Sequence, residues 1–192
     1  MISKQKLFGY YMELSVKERV LYMLTNYKHR AYYEESQRQY IEGMIADIRA
    51  YERKRNDDLG IRIMSGGSMS DITSAAAEER ERIEKAFKAG KITKALISDK
   101  QDRDMMLSAI GEWLIMKDDY ESLNRALWKL TPTEHELLMA YISREKDYYD
   151  IADECKIEFE SAKKKIQRIR GKVIKIASPE FEMHGLNWRY AG

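Results

Sequence analysis

The stretch that decides the fold is residues 130–177, LTPTEHELLMAYISREKDYYDIADECKIEFESAKKKIQRIRGKVIKIA. It predicts three helices, of which the last two form a helix-turn-helix. Residues 131–134 have the composition of a helix start, because threonine caps, proline needs no amide donor at the first position, and glutamate closes a capping box. The short second helix is predicted at Tyr148–Cys155, the turn at 156–158, and the long third helix from Phe159 onward.

The third predicted helix combines an apolar stripe with a strongly basic face. Its apolar residues recur at steps of four, three, four and three, which is the spacing of one buried helix face. Between residues 156 and 175, eight basic residues stand against two acidic ones, a local charge of +6, whereas the whole chain carries +2. The apolar residues are Ala162, Ile166, Ile169, Val173 and Ile176, and the basic ones are Lys156, Lys163, Lys164, Lys165, Arg168, Arg170, Lys172 and Lys175.

A short basic helix that follows a tight turn is typical of proteins that bind in the major groove of DNA. Its lysines neutralise phosphates, and the side chains at its N-terminal end reach base edges. A solvated charged face on an ordinary three-helix bundle would give the same pattern. Charge and spacing together favour DNA binding over that alternative.

The same segment resembles region 4 of the sigma-70 family, which is a DNA-binding helix-turn-helix. The resemblance lies in 149–152 (YDIA), 155–158 (CKIE), 161–163 (SAK), 166–170 (IQRIR) and the LTPTE opening at 130–134. Two residues depart from the family pattern. Cys155 replaces the usual leucine, a tolerable small apolar exchange, and Glu158 replaces the usual serine or threonine cap, which predicts a weaker helix start or one that shifts to another residue.

This resemblance implies which side chains contact DNA. In the family, residues at the start of the recognition helix contact bases, and the matching residues here are Phe159, Glu160, Lys163 and Lys164, with Gln167 on the same groove-facing side. Lys165, Arg168 and Arg170 are expected nearer the phosphates.

Composition predicts a mainly helical chain. The 192 residues are 44% hydrophobic and 34% charged, with only two prolines and ten glycines. No run of 18 apolar residues is present, and the N-terminus lacks the apolar core of a signal peptide. The single cysteine, Cys155, indicates a reducing compartment and a packing role, so we expect a cytoplasmic protein.

The N-terminal part predicts a helical segment over residues 1–55. Glu34 and Arg38 occupy positions along its apolar seam, so either the helix breaks there into a hairpin or its middle is solvated. Tyrosines are crowded in this segment. They indicate either a stacking surface for nucleic acid or a partner, or amphipathic packing with hydroxyls at the rim, and the second interpretation is favoured.

Residues 56–74 predict a flexible loop, because glycine, serine and aspartate dominate there. A phosphate-binding loop is excluded, since no GxxxxGK[ST] pattern is present. Ser70 or Asp71 could cap a helix over 75–89 that ends at Gly90. The central region, 75–129, continues with a second apolar helix over 99–129, where the two halves or two copies of the chain could dock. The helix-turn-helix domain is expected at 130–177 and an apolar tail at 178–192, which either folds back or meets a partner.

No pattern for catalysis or metal binding is visible. His29, His135 and His184 lie far apart and lack zinc spacing, so each is predicted at the surface or at a helix cap. The aspartate pairs 57–58 and 118–119 suit solvated turns and helix ends. No nucleophile elbow or nucleotide-binding loop occurs. The sequence therefore predicts an all-α, non-enzymatic protein with no cofactor and no metal.

More loosely, most of the chain is similar to ArpU/RinA-like late gene regulators of phages and prophages, which join helical segments to a sigma-like C-terminus. That resemblance implies a transcriptional regulator that binds double-stranded promoter DNA in a bacterial host cell, with RNA polymerase as a second expected partner. A homodimer through the N-terminal or central helices is a further expectation. Two alternatives remain: a DNA-recognition and oligomerisation subunit of a small terminase-like packaging complex, and an adaptor that binds polymerase without DNA.

Overall fold

The computed structural model describes residues 10–58 and 69–189. Every regular element in these ranges is helical, so the chain is all-α, as its composition predicts. None of these helices has the length and apolar character needed to cross a bilayer. The helices are α1 (Tyr10–Glu13), α2 (Val16–Thr25), α3 (Arg30–Asp58), α4 (Met69–Ala89), α5 (Lys100–Trp128), α6 (Pro132–Ile142), α7 (Tyr148–Cys155) and α8 (Phe159–Arg189), with a 3-10 turn at Tyr27–His29 between α2 and α3.

The described residues form two compact units. One unit holds the residues up to Glu34 and from Ile115 onward, and the other holds those from Glu35 to Leu114. The predicted boundaries, by contrast, fall at positions 55, 74, 129 and 177. Composition and local periodicity locate helices, but they do not show that segments 100 residues apart share one core.

The core of the first unit is built around α8. The predicted stripe is buried from Ala162 to Val173, but Ile176 is only half-buried and Ala177 takes its place facing the core. Four turns at 3.6 residues per turn cover about 14.4 residues, so the buried position drifts past Ile176, which is 14 residues after Ala162, towards Ala177. Facing residues come from α2, α5, α6 and α7, among them Val20, Leu24, Leu123, Leu127, Leu138 and Ile151.

Residues 178–189 of the predicted tail are part of the same helix. Ser178 and Pro179 resemble a new helix start, yet α8 runs through Pro179 to Arg189. A proline within a helix removes one amide donor, and here the Ser178 hydroxyl donates to the Ile174 carbonyl over 2.7 Å. Beyond the proline, Phe181 is fully buried in the core. The described part of the tail therefore continues α8 and packs into the core of the first unit through Phe181.

The N-terminal helical segment is interrupted earlier than expected. A capping box at Ser15 starts α2, and the helix ends at Asn26, whose side-chain amide donates to the Tyr22 carbonyl over 2.9 Å. Glu34 and Arg38 both lie within the continuous α3. Arg30 pairs with Glu34 at 2.9 Å, and Arg38 pairs at the same distance with Glu42 one turn on. Each of these two charges therefore has an ion-pair partner on α3 itself, and the helix continues without the predicted break.

The second unit contains α4, most of α3 and about the first half of α5. Helix α4 begins at Met69, before the predicted caps Ser70 and Asp71, and ends at Gly90 as predicted. Gly90 has φ 61°, and the next amide donates back to the Ala86 carbonyl over 3.3 Å, the geometry of a glycine-terminated helix. The glycines at positions 60, 66 and 67 lie outside the described residues.

Tyrosines of the N-terminal helices are divided between packing and exposure. Tyr11 is buried, and Tyr27 stacks on Tyr120 with ring centroids 5.4 Å apart. In contrast, Tyr10, Tyr32, Tyr33 and Tyr51 are exposed. The favoured interpretation, packing with hydroxyls at the rim, therefore describes only part of this set.

Candidate nucleic-acid interface

The candidate interface begins at the cap of α7. The Asp147 carboxylate accepts hydrogen bonds from the amides of Tyr149, at 2.7 Å, and Asp150, at 3.0 Å. In return, the Asp150 carboxylate accepts from the Asp147 amide at 2.8 Å. These reciprocal bonds satisfy amides that the first helical turn leaves without partners. They hold α7 in place although it is only eight residues long.

We expect Asp147→Ala to lower the free energy of unfolding by about 1 kcal/mol, because two amides at the start of α7 lose their acceptor. Asp147→Asn keeps a side-chain oxygen in the same position and serves as the matched control, with a clearly smaller loss. Urea unfolding monitored by circular dichroism measures both variants. Equal stability of wild type and Asp147→Ala would show that the cap contributes nothing.

A three-residue turn at 156–158 connects α7 to α8. Lys156 adopts a left-handed conformation with φ 52°, and the Ile157 amide donates to the Ala152 carbonyl over 2.9 Å. Helix α8 begins at Phe159, directly after Glu158, whose carbonyl accepts from the Ala162 amide at 3.0 Å. The missing serine or threonine cap therefore does not shift the start of α8.

The predicted DNA-contacting residues fall on one exposed face of α8 and its two flanks. Opposite the buried stripe, the exposed residues are Glu160, Lys164, Gln167 and Arg168, followed by Gly171 and Lys175. Half-buried residues lie on the flanks, with Phe159, Lys163 and Arg170 on one side and Lys165 on the other. We call the whole set, from Phe159 to Lys175, the basic face of α8.

Several cations on the basic face are not held by acidic side chains. Within the described chain, no ion pair involves Lys164, Arg168 or Lys175. Lys163 lies 4.0 Å from Glu160, one turn earlier, and keeps 43% of its side chain exposed. Such weakly paired, solvated cations can exchange water for phosphate oxygens at little cost.

Two basic residues on the flanks have contacts that sequence reasoning did not anticipate. The Lys165 ammonium lies 3.5 Å from the half-buried Cys155 sulfur, which ties α8 to α7. Arg170 lines a cavity of about 440 Å³ together with Tyr141 and Asp150. Both positions are set back from the centre of the basic face, so their predicted phosphate contacts depend on side-chain movement.

Lys172 connects α8 to the start of α6. Its ammonium pairs with the Glu134 carboxylate, which also closes the capping box at Thr131. The hydrogen bond from Lys172 lowers the pKa of Glu134 below its usual value. Glu134 therefore stays ionised at neutral pH and keeps the α6 start and α8 together.

An aromatic cluster at the N-terminal end of α8 was not predicted as a group. Tyr141 stacks on Tyr148 at 4.8 Å, and their hydroxyls are 2.8 Å apart. The Phe159 ring lies 5.9 Å from that of Tyr148 and 4.6 Å from that of Tyr149. Of these residues, only Phe159 was assigned a contact role from the sequence. The adjacent tyrosines at 148 and 149 are the sequence feature from which the cluster could have been predicted.

A buried polar network elsewhere in the first unit corrects two predictions. Asp119, expected in a solvated turn or at a helix end, is fully buried within α5. His184, expected at the surface or at a cap, is mostly buried, with its Nδ1 2.8 Å from the Asp119 carboxylate. Tyr11 and Arg19 complete the network. The three partners lie 65 to 108 positions from Asp119 in the sequence, so no local pattern predicts the network.

The described residues contain no group of three or more histidine, cysteine, aspartate or glutamate side chains placed to hold a metal ion. His135 stacks on the exposed Trp128, with ring centroids 4.7 Å apart.

No protein-family model matches this chain, and neither the curated proteins nor the solved structures include a significant match.

Proposed function

We propose that this chain is a sequence-specific DNA-binding transcriptional regulator of phage or prophage genes that is not an enzyme. The observation that supports the proposal most is the pairing of two faces on α8. One face is fixed by a buried stripe against α2, α6 and α7, and the other leaves lysines and an arginine exposed. Because the buried stripe fixes which side of α8 faces the core, the cations of the opposite side face outward, where a duplex can meet them.

The order of α7, the turn and α8 supports major-groove binding. In helix-turn-helix proteins the second helix lies in the groove with its N-terminal residues at base edges, while the preceding helix crosses the backbone. Here the N-terminal end of α8 carries Phe159, Glu160 and Lys163, which offer apolar, acceptor and donor groups respectively. In this proposal Lys164 and Gln167 also face the groove, and Lys165, Arg168 and Arg170 supply the phosphate contacts.

Selection of bound fragments from phage or host genomic DNA tests the proposal. We expect enrichment of sequences upstream of one late operon. A variant with Lys163→Ala and Lys164→Ala is the comparison that shows which fragments are bound without this face. It is expected to keep the fold, because the two side chains that it removes are solvated cations. Equal fragment populations for wild type and variant would contradict regulation through this face.

The alternative from another class is a DNA-recognition subunit of a packaging complex. It also joins a helix-turn-helix to helical segments, and the helices α3 to α5 could serve as its oligomerisation part. Mass measurement in solution separates the two proposals. A ring of many copies favours packaging, whereas a monomer or dimer favours regulation.

A contact with RNA polymerase is a further part of the proposal, and it rests on the sigma-like resemblance alone. A polymerase pull-down performed beside a DNA shift assay distinguishes a regulator that binds both from an adaptor that binds only polymerase.

A further inference from the structure

The aromatic cluster at the start of α8 extends from the core of the first unit to the protein surface. Tyr149 is 66% exposed, and neither Tyr149 nor Phe159 belongs to the hydrophobic core of the first unit. The other two members are half-buried against that core. The cluster therefore has an inner part, Tyr141 and Tyr148, that packs against the core, then the half-buried ring of Phe159, and on the outside the exposed ring of Tyr149.

The inner rings hold the outer ones in place. Tyr148 is stacked on Tyr141 and linked to it through their hydroxyls. Phe159 meets the edge of Tyr148 at an interplanar angle of 86°, and Tyr149 lies beside it at 33°. Since Phe159 is also the first residue of α8, its ring has a defined position at the N-terminal end of the basic face.

The surroundings of this aromatic end indicate double-stranded DNA as its partner. Lys163 lies one turn later on the same flank as Phe159, and Lys164 follows on the exposed side, so a duplex that meets Phe159 also reaches two cations beyond the exposed acids Glu158 and Glu160. Each base pair of the major groove shows polar edge atoms, and thymine alone adds an apolar one, its C5-methyl group. An aromatic side chain at the start of a groove-binding helix is chemically suited to that methyl group.

We infer that Phe159, supported by Tyr148 and Tyr149, is a specificity-determining residue that contacts a thymine methyl group in the DNA site. This inference rests on the proposed function and names the base feature that the start of α8 selects. The exposed neighbour Glu160 is suited to accept from the N4 amino group of cytosine, so this end of the helix selects pyrimidine edges.

The test uses the full chain and a duplex obtained by fragment selection, in which each thymine in turn is replaced by deoxyuridine. This change removes one methyl group and leaves the phosphates and the base pairing intact. We expect one position where affinity falls about fourfold, the effect of uncovering a single buried methyl group. Fluorescence anisotropy at constant salt measures it.

Variants then test whether Phe159 is the residue that contacts the thymine identified in this way. With Phe159→Ala, the thymine and deoxyuridine duplexes should bind equally, whereas Phe159→Leu should keep a preference for thymine. Lys163→Ala with Lys164→Ala should weaken both duplexes by the same factor and preserve the ratio. If Phe159→Ala does not fold by circular dichroism, Tyr149→Ala replaces it, and it should reduce the thymine preference.

The outcomes separate the inference from the proposed function. Tight duplex binding with no position sensitive to deoxyuridine, or the same sensitivity in wild type, Phe159→Ala and Tyr149→Ala, overturns the inference alone. Tighter binding to the single strand than to the duplex also overturns it, since the rings would then stack on unpaired bases. Absence of binding to any duplex overturns both.

Discussion

Asp119→Ala is expected to lower the free energy of unfolding by about 3–5 kcal/mol, because it leaves a buried guanidinium without its counter-charge. The Asp119 carboxylate is fully buried and pairs with Arg19, whose side chain is 5% exposed. It also accepts from the Tyr11 hydroxyl at 2.6 Å and from Arg19 Nε at 2.9 Å. The network joins α1, α2, α5 and α8, so its loss affects the helices that hold the basic face.

Tyr11 acts in this network as a hydrogen-bond donor. Burial, together with the neighbouring Asp119 carboxylate, raises the pKa of Tyr11 well above its ordinary value, so its hydroxyl stays protonated at neutral pH. Removing Asp119 therefore leaves this donor without its acceptor, in addition to the buried guanidinium.

Urea unfolding of Asp119→Ala should be compared with that of a double variant, Asp119→Leu with Arg19→Met. The double variant removes both charges together and should recover a large part of the stability, as replacement of a buried ion pair by apolar groups often does. A decrease below about 1 kcal/mol for Asp119→Ala would contradict this account of the network.

Phe181→Ala is expected to destabilise the chain by about 3–5 kcal/mol, the usual cost of emptying a large core position. Phe181 is fully buried, and the Arg19 guanidinium carbon lies 5.5 Å from its ring centroid. The variant tests whether the part of α8 beyond Pro179 belongs to the core of the first unit.

Met183→Ala is the matched control for Phe181→Ala. Met183 lies two residues further along α8 and is 60% exposed, so its truncation should change stability by no more than about 0.5 kcal/mol. Thermal unfolding measures both variants. Similar small decreases for the two would indicate that the end of α8 separates from the core in solution.

The helices of the C-terminal third were predictable because their signals are local. Thr131 and Pro132 mark the start of α6, and apolar spacing marks α8, all within one or two helical turns. Prediction from local signals was wrong at Pro179. A proline alone favours the end of a helix, but here the packing of Phe181 in the core stabilises the helix beyond it. It also failed at Asn26, where the chain turns although neighbouring segments are both helical.

The candidate site was predictable only in part for the same reason. The periodicity of the apolar residues was enough to predict that Lys164, Gln167 and Arg168 are exposed. Burial of the apolar stripe turns the opposite side of the helix towards solvent. The contact of Lys165 with Cys155 and the cavity beside Arg170 depend on how α7 and the loop before it pack. Such contacts between helices leave no pattern in sequence.

The most direct test of the central claim, that the basic face of α8 binds duplex DNA, is a salt titration of DNA affinity. Wild type is compared with Lys163→Ala and Lys164→Ala together, and with the control Lys91→Ala and Lys94→Ala, which removes the same charge from exposed positions in the second unit. We expect the first variant to bind more weakly and its slope of log affinity against log salt to fall by about 0.9 for each phosphate that it no longer neutralises. The control should match wild type. Unchanged affinity and slope for the Lys163 and Lys164 variant across the whole titration would contradict the claim.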